Sequence, residues 1–388
     1  MSRGAANPER AAPDSRNTTP KNQEVTYCGL WPHRVIRRGD AVRPLPPHAR
    51  SLADLTFEVG DIRLSLYDYM TRRRTDGLLI LKRGEVALER YGIGSGPESR
   101  RTSYSIAKSL TSTLVGAALH DGAIGSLDDR CDLYLPRLRG SAYEGVTVGN
   151  AMRMCSGVAW SDKDDGEADG SRLHQALVRR RPGSILDLLC ALPRAQPQGA
   201  VFNYSTVESC LLGALVAAAT RRPLADYCAE TIWGPAGMEA DGYWALEAEG
   251  GGQELGGAGV SARLRDLGRF GQLVLEDGEA FSGRRVLPPG WRDLAGQPDS
   301  APTAFGRLMP GSPAGYGYQW WALPHGPTGV HAGAFVAIGA FGQYVYVNPA
   351  EQVVIAIQSA WRQHHDSDAE LETFKLLGAA VHALRPDL

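Results

Sequence analysis

Lysine is nearly missing from this chain: of the 41 Lys and Arg residues among 388, only Lys21, Lys82, Lys108, Lys163 and Lys375 are lysine. Arginine is the default cation, and a guanidinium stays protonated under all usable conditions, so it cannot act as a base. An ammonium held in apolar surroundings can lose its proton and become one. Cysteine is scarce as well. The six residues Cys28, Cys131, Cys155, Cys190, Cys210 and Cys228 are scattered without paired spacing, which argues against a disulfide framework or a zinc site and for buried free thiols. Charge of one sign is absent too, since the formal net charge is -2 with 22% charged residues. Without a basic stripe carrying interleaved aromatics, neither nucleic acid nor an anionic lipid surface is an expected partner. No apolar run approaches the roughly 20 residues of a membrane span. Met1 to Glu24 is polar and lacks the apolar core of a leader, so it reads as a disordered tail and the expected location is cytoplasmic.

Several functional motifs are missing. There is no Gly-x-Ser-x-Gly elbow, which argues against an α/β-hydrolase arrangement. The glycine cluster Gly250 to Gly259 follows no strand and lacks the spacing of a dinucleotide fingerprint. His364-His365-Asp366-Ser367-Asp368 offers ligand types, but adjacent side chains diverge and nothing else converges on them. No cofactor and no metal are therefore expected.

What is present centres on Ser105-Ile106-Ala107-Lys108, followed by the apolar, helix-length run Ser109 to Leu119. Residues three apart on a helix share a face, so the Ser105 hydroxyl and the Lys108 amine become neighbours. The first helical turn adds unpaired N–H groups and the positive end of the dipole, which favour negative charge developing at Ser105. Those are the parts of an activated nucleophile. The competing explanation is a solvated lysine at a helix start with Ser105 as the N-cap.

Along the chain, a polar tail and a Pro-rich connector at Pro44 to His48 occupy residues 1–50, read as tail and linker. Leu78 to Lys82 and Val86 to Tyr91 read as a hairpin, as do Gly342 to Val347 and Gln352 to Ile357 near the other end. Residues 128–275 read as mainly helical, and Ala369 to Leu384 as a closing helix. The expected fold class is α/β, of the α+β kind. An antiparallel sheet from N- and C-terminal segments is flanked by helices, residues 51–388 form the catalytic domain, and a helical subdomain at 128–275 is inserted into it.

These residues resemble the serine β-lactamase, penicillin-binding and esterase superfamily, in particular the class C-like branch that includes the 6-aminohexanoate-dimer hydrolases. The resemblance runs from about Leu78 to the C-terminus. Ser105-x-x-Lys108 looks like the first motif of that family, and Phe202-Asn203-Tyr204-Ser205-Thr206 looks like the second, whose tyrosine completes the triad. Phe335-x-Ala337-x-Gly339-x-x-Gly342-Gln343 looks like its active-site strand and turn. The resemblance implies Ser105 as nucleophile, Lys108 as base and Tyr204 as proton relay. It also implies an oxyanion hole from the backbone N–H groups of Ser105 and Ala340. Trp160, Asp162, Thr206, Tyr318, Trp320 and Gly339 are the implied substrate-side residues.

Two departures bear on substrate. Thr206 stands where the second motif usually ends in Asn, and Ala337-Ile338-Gly339 replaces Lys-Thr-Gly, removing the cation and hydroxyl that grip a carboxylate. His331-Ala332-Gly333 offers a competing register for that motif. The expected activity is hydrolysis of a small-molecule ester or amide through an acyl-enzyme, rather than antibiotic hydrolysis. A transacylase passing the acyl group to an amine or alcohol is the alternative, and a non-catalytic protein that is merely acylated by its ligand is the second.

Overall fold

The computed structural model describes residues 31–162, 169–297, 314–323 and 329–385. The polar stretch from Met1 to Glu24, Cys28, Lys21 and Lys163 lie outside the described residues. In chain order the strands are β1 (His33–Ile36), β2 (Thr56–Val59), β3 (Ile62–Ser65), β4 (Thr75–Lys82), β5 (Glu85–Tyr91), β6 (Arg100–Thr102) and β7 (Gly242–Ala245). They continue with β8 (Val260–Arg263), β9 (Gly315–Tyr316), β10 (Trp321–Ala322), β11 (Phe335–Gly339), β12 (Gln343–Asn348) and β13 (Val353–Ser359). The helices that bear on the site are α1 (Ile106–His120), α2 (Thr206–Thr220), α3 (Leu264–Leu275) and α4 (Ser367–Ala383).

The main sheet has the order β5-β4-β13-β12-β11-β10-β9 and is antiparallel at each pairing. N- and C-terminal segments therefore meet at its centre, where β4 lies beside β13 with Ile80 opposite Ile355. Its central strands read as unbroken apolar runs because both faces are covered. Leu79, Leu81, Val345, Val354 and Ala356 face the helical layer with α1 and α3. Leu78, Ile80, Tyr344, Ile355 and Ile357 face the opposite core, where α4 contributes Leu376 and Leu377. Asp366 caps α4 by accepting from the Ala369 N–H at 3.0 Å.

A second, four-stranded sheet has the order β1-β7-β8-β6, and it changes the sequence reading in two places. Residues 33–36, read as part of the tail and linker, are a strand paired with β7, His33 opposite Ala245. The stretch 128–275, read as mainly helical, also carries β7 and β8. Four-residue strands show too little alternation to be recognised, and their partners come from distant segments. This sheet matters because β6 pairs with β8, Thr102 opposite Ser261, and then leads into the turn that opens α1.

Helix α1 is buried at every residue from Ile106 to Ala118, and its hydroxyls are all satisfied by carbonyls, as burial requires. Ser109 donates to Gln319 at 2.7 Å, Thr111 to Gly256 at 2.7 Å, Ser112 to Tyr318 at 2.6 Å and Thr113 to Ser109 at 2.8 Å. Helix α2 packs along it. Among the described residues no helix is long and apolar enough to cross a membrane. Cys131, Cys155, Cys190, Cys210 and Cys228 are free thiols.

Candidate active site

Ser105 stands at the junction of β6 and α1. The Ser103 N–H donates to the Val260 carbonyl at 2.7 Å, anchoring the turn to the small sheet. Tyr104 then takes a left-handed conformation, φ 47, which non-glycine residues adopt uncommonly. Ser105 is the N-cap residue by position, yet its hydroxyl makes no capping bond. It lies instead 2.9 Å from Lys108 Nζ, so the competing N-cap explanation does not describe this serine. Lys108 is 2% exposed, and its Nζ also donates to the Gly257 carbonyl at 2.9 Å. Among the described residues its hydrogen-bond partners are Ser105 and Gly257, neither of them a carboxylate. Gly257 has to be glycine, because a Cβ there would stand 2.5 Å from the Thr206 carbonyl. That close approach brings the acceptor for Lys108 against the start of α2.

Tyr204 precedes α2, and its ring lies beside the amine, with Lys108 Nζ 5.0 Å from the ring centroid. On the aromatic side, Trp321 stacks on Tyr204 at 5.7 Å and 20°, and Tyr316 meets it edge-on at 6.0 Å. Tyr316 and Trp321 are themselves 4.8 Å apart, and Phe202 sits 5.0 Å from Tyr316. Burial, then the neighbouring Tyr204, pushes the Tyr316 hydroxyl well above its ordinary pKa.

Two of the residues implied on the substrate side, Tyr318 and Trp320, pack into the core cluster. Tyr318 is 4% exposed, stacks on Trp291 at 5.8 Å, and accepts from Arg153 at 3.1 Å through its hydroxyl. Trp320 is wholly buried between Phe270 and Phe335, at 5.9 and 5.2 Å. Both belong to the core. The reason is the turn between β9 and β10, closed by the Gly317 N–H on the Trp320 carbonyl at 2.9 Å. It folds Tyr318 and Trp320 inward and leaves Tyr316 opposite Trp321 as a cross-strand pair. Six consecutive residues rich in aromatics carry no sign of such a two-residue pairing.

Trp160, Asp162 and Thr206 are brought together, though the contacts they make are to one another. Trp160 Nε1 donates to Asp162 at 2.7 Å, and the other Asp162 oxygen accepts from the Thr206 N–H at 3.0 Å and its hydroxyl at 2.9 Å. The carboxylate thus occupies the N-terminus of α2, where the helix dipole favours it. Asn203 adds a bond to the Trp160 carbonyl at 3.1 Å, so the trio braces the turn that carries Tyr204.

Gly339 ends β11 against the nucleophile turn, since a Cβ there would lie 2.3 Å from the Ser103 carbonyl. The N–H groups of Ser105 and of the next residue, Ala340, have no hydrogen-bond partner among the described residues. Phe341 is left-handed like Tyr104, φ 59, and the two rings pack at 5.2 Å. Ala337 is 1% exposed on the face toward α1 and supplies no charge. The competing register fails: His331 bonds the Tyr346 hydroxyl at 3.0 Å and lies near Gly378 of α4, on the far face of the sheet. His365, set aside as a metal ligand, pairs with the buried Glu370 at 2.8 Å.

One buried acid was not singled out from the sequence. Glu208, one helical turn after Tyr204, is 2% exposed and bonded to Ser156, and burial pushes its carboxyl up to about 8. A lone acid in the apolar run Thr206 to Thr220 was the available signal.

A serine and a buried lysine one turn apart, wedged between an antiparallel sheet and a helical layer, define the fold and its candidate site. The family described as Beta-lactamase matches residues 65–380, and the chain belongs to that family. It is 29% identical over 339 residues to a 6-aminohexanoate-dimer hydrolase from Paenarthrobacter ureafaciens, covering 86% of this chain and 83% of that one. Among solved structures, it resembles a Bacillus anthracis protein provisionally described as a 6-aminohexanoate-dimer hydrolase. That match has a TM-score of 0.80 and 23% identity, over 94% of this chain and 98% of the other. A family VIII carboxylesterase aligns with a TM-score of 0.61 and 16% identity, over 79% and 92% of the two chains. The fold is accordingly β-lactamase-like.

Proposed function

We propose that the chain hydrolyses an ester or amide through an acyl-enzyme on Ser105. One observation carries the reading: Ser105 Oγ and Lys108 Nζ stand 2.9 Å apart with the amine almost wholly buried. In acylation, Ser105 Oγ attacks the substrate carbonyl carbon while its proton passes to Lys108 Nζ. The carbonyl oxygen becomes an oxyanion held by the N–H groups of Ser105 and Ala340, each worth about 3 to 4 kcal/mol in comparable sites. Collapse breaks the bond to the leaving alcohol or amine, which takes the proton back from Lys108 by way of the Tyr204 hydroxyl. Water then attacks the Ser105 ester, gives its proton to the same amine, and releases the acid with the serine restored.

The substrate side is read from chemistry that is present and chemistry that is not. Ala337-Ile338-Gly339 offers neither cation nor hydroxyl to a carboxylate, while Tyr316 and Trp321 pack on the Tyr204 ring and Phe202 packs on both of them. An uncharged acyl group with an apolar or flat body suits that wall. The test is turnover of a p-nitrophenyl ester series together with fluorophosphonate labelling and peptide mapping. Label on Ser105, lost in Ser105→Ala, is the expected result. Undiminished turnover by Ser105→Ala would end the proposal.

A further inference from the structure

The loop beneath Tyr204 holds a residue whose backbone and side chain are at odds. The short helix Val148–Met152 ends with the Met154 N–H on the Ala151 carbonyl at 3.1 Å and the Cys155 N–H on the Asn150 carbonyl at 2.8 Å. That is the bonding of a Schellman terminator, whose left-handed position belongs by preference to glycine. Here it is Met154, φ 57 and wholly buried. A bulky side chain is kept where the backbone disfavours one, a conflict that accumulates at functional sites.

What the side chain and its own carbonyl do is grip Tyr204 from both sides. The Met154 carbonyl accepts from the Asn203 N–H at 2.9 Å, and the Met154 sulfur accepts from the Ser205 N–H at 3.2 Å. The N–H groups of the two residues on either side of Tyr204, Asn203 and Ser205, therefore hang on one residue. Among apolar side chains of this length only methionine carries an acceptor, weak though a thioether is. Glycine would relax the turn and leave the Ser205 N–H without its partner. We propose that Met154 is a positioning residue for Tyr204, fixing the reach of its hydroxyl toward Lys108 and the leaving group. The inference rests on Tyr204 as the proton relay.

The experiment is a double-mutant cycle on a p-nitrophenyl ester, with kcat and KM measured for wild type, Met154→Leu, Tyr204→Phe and the double variant. Leucine keeps the bulk and removes the acceptor. The expected result is a kcat about tenfold lower in Met154→Leu with KM within about twofold, and no further loss when the same change is made in Tyr204→Phe. Unchanged kcat in Met154→Leu overturns the inference, as does an equal loss in the Tyr204→Phe background, which marks a general structural effect. Should Met154→Leu fail to fold, replacement of methionine by norleucine keeps the shape and removes only sulfur. The same drop in kcat supports the inference, and full activity overturns it. Wild-type turnover by Tyr204→Phe removes the relay reading itself, whereas an impaired Tyr204→Phe beside an unimpaired Met154→Leu removes only the role given to Met154.

Discussion

Glu208 makes the stability of this protein fall as pH rises, and the size of the fall follows from its surroundings. Its carboxyl is buried on α2, bonded to Ser156 through one oxygen, while the other oxygen has no partner among the described residues. Burial raises its pKa from 4.5 to about 8, against the smaller opposing pull of the Ser156 bond. Between those values the unfolded chain has released this proton and the folded chain has kept it, so the folded state binds more protons and loses stability with each step upward. The contribution is fully present below pH 4.5 and is lost progressively until the folded group itself ionises near pH 8. At about 1.4 kcal/mol per pH unit, the loss by pH 7 is roughly 3 kcal/mol. Glu208→Gln keeps the shape, can still bond Ser156, and cannot ionise. Urea unfolding of both proteins at pH 5, 6, 7 and 8 measures the difference directly, and taking the difference cancels other titrating groups, including Asp266, which burial lifts to about 6. The variant is expected within about 1 kcal/mol of wild type at pH 5 and more stable by roughly 3 kcal/mol at pH 7. A difference that stays constant from pH 5 to pH 8 would refute the reasoning, because it would mean that the carboxyl ionises in the folded protein as easily as in water.

Lys108→Arg preserves charge but leaves no group able to take the serine proton, so kcat for a p-nitrophenyl ester is expected to drop by roughly a thousandfold. Gly339→Ala sets a methyl 2.3 Å from the Ser103 carbonyl, pushing β11 off the nucleophile turn. The expected loss in kcat is about a hundredfold, and stopped-flow acylation rates will report it. Trp320→Ala empties a fully buried site and should cost about 3 to 5 kcal/mol in urea unfolding. Trp321→Ala, by contrast, should shift KM across an ester series with little change in stability. Reversed behaviour of those two variants would restore Trp320 to the substrate side.

Legibility in the sequence followed the range of the interactions. Ser105 and Lys108 could be read because a helix brings residues three apart together whatever the remaining chain does. β4, β12 and β13 could be read because strands covered on both faces stay apolar along their length. β1 was hidden: its four residues have meaning only opposite Ala245 and its neighbours. The resemblance implies Asp162 on the substrate side, but its bonds to Trp160 and Thr206 close through the tertiary fold and are not legible in the sequence. Tyr316 and Trp321 could not be told from Tyr318 and Trp320, because a turn of opposite sense would have exchanged their places.

The hydroxyls of Ser109, Thr111 and Ser112 end on carbonyls of Gln319, Gly256 and Tyr318, which adjoin the segments bearing Trp321 and Gly257. The floor beneath the reacting pair is thus cast in one piece with its walls. Exchange of rings at the rim can then retune which acyl groups are accepted while the foundation stays still, so a new substrate does not require a new nucleophile.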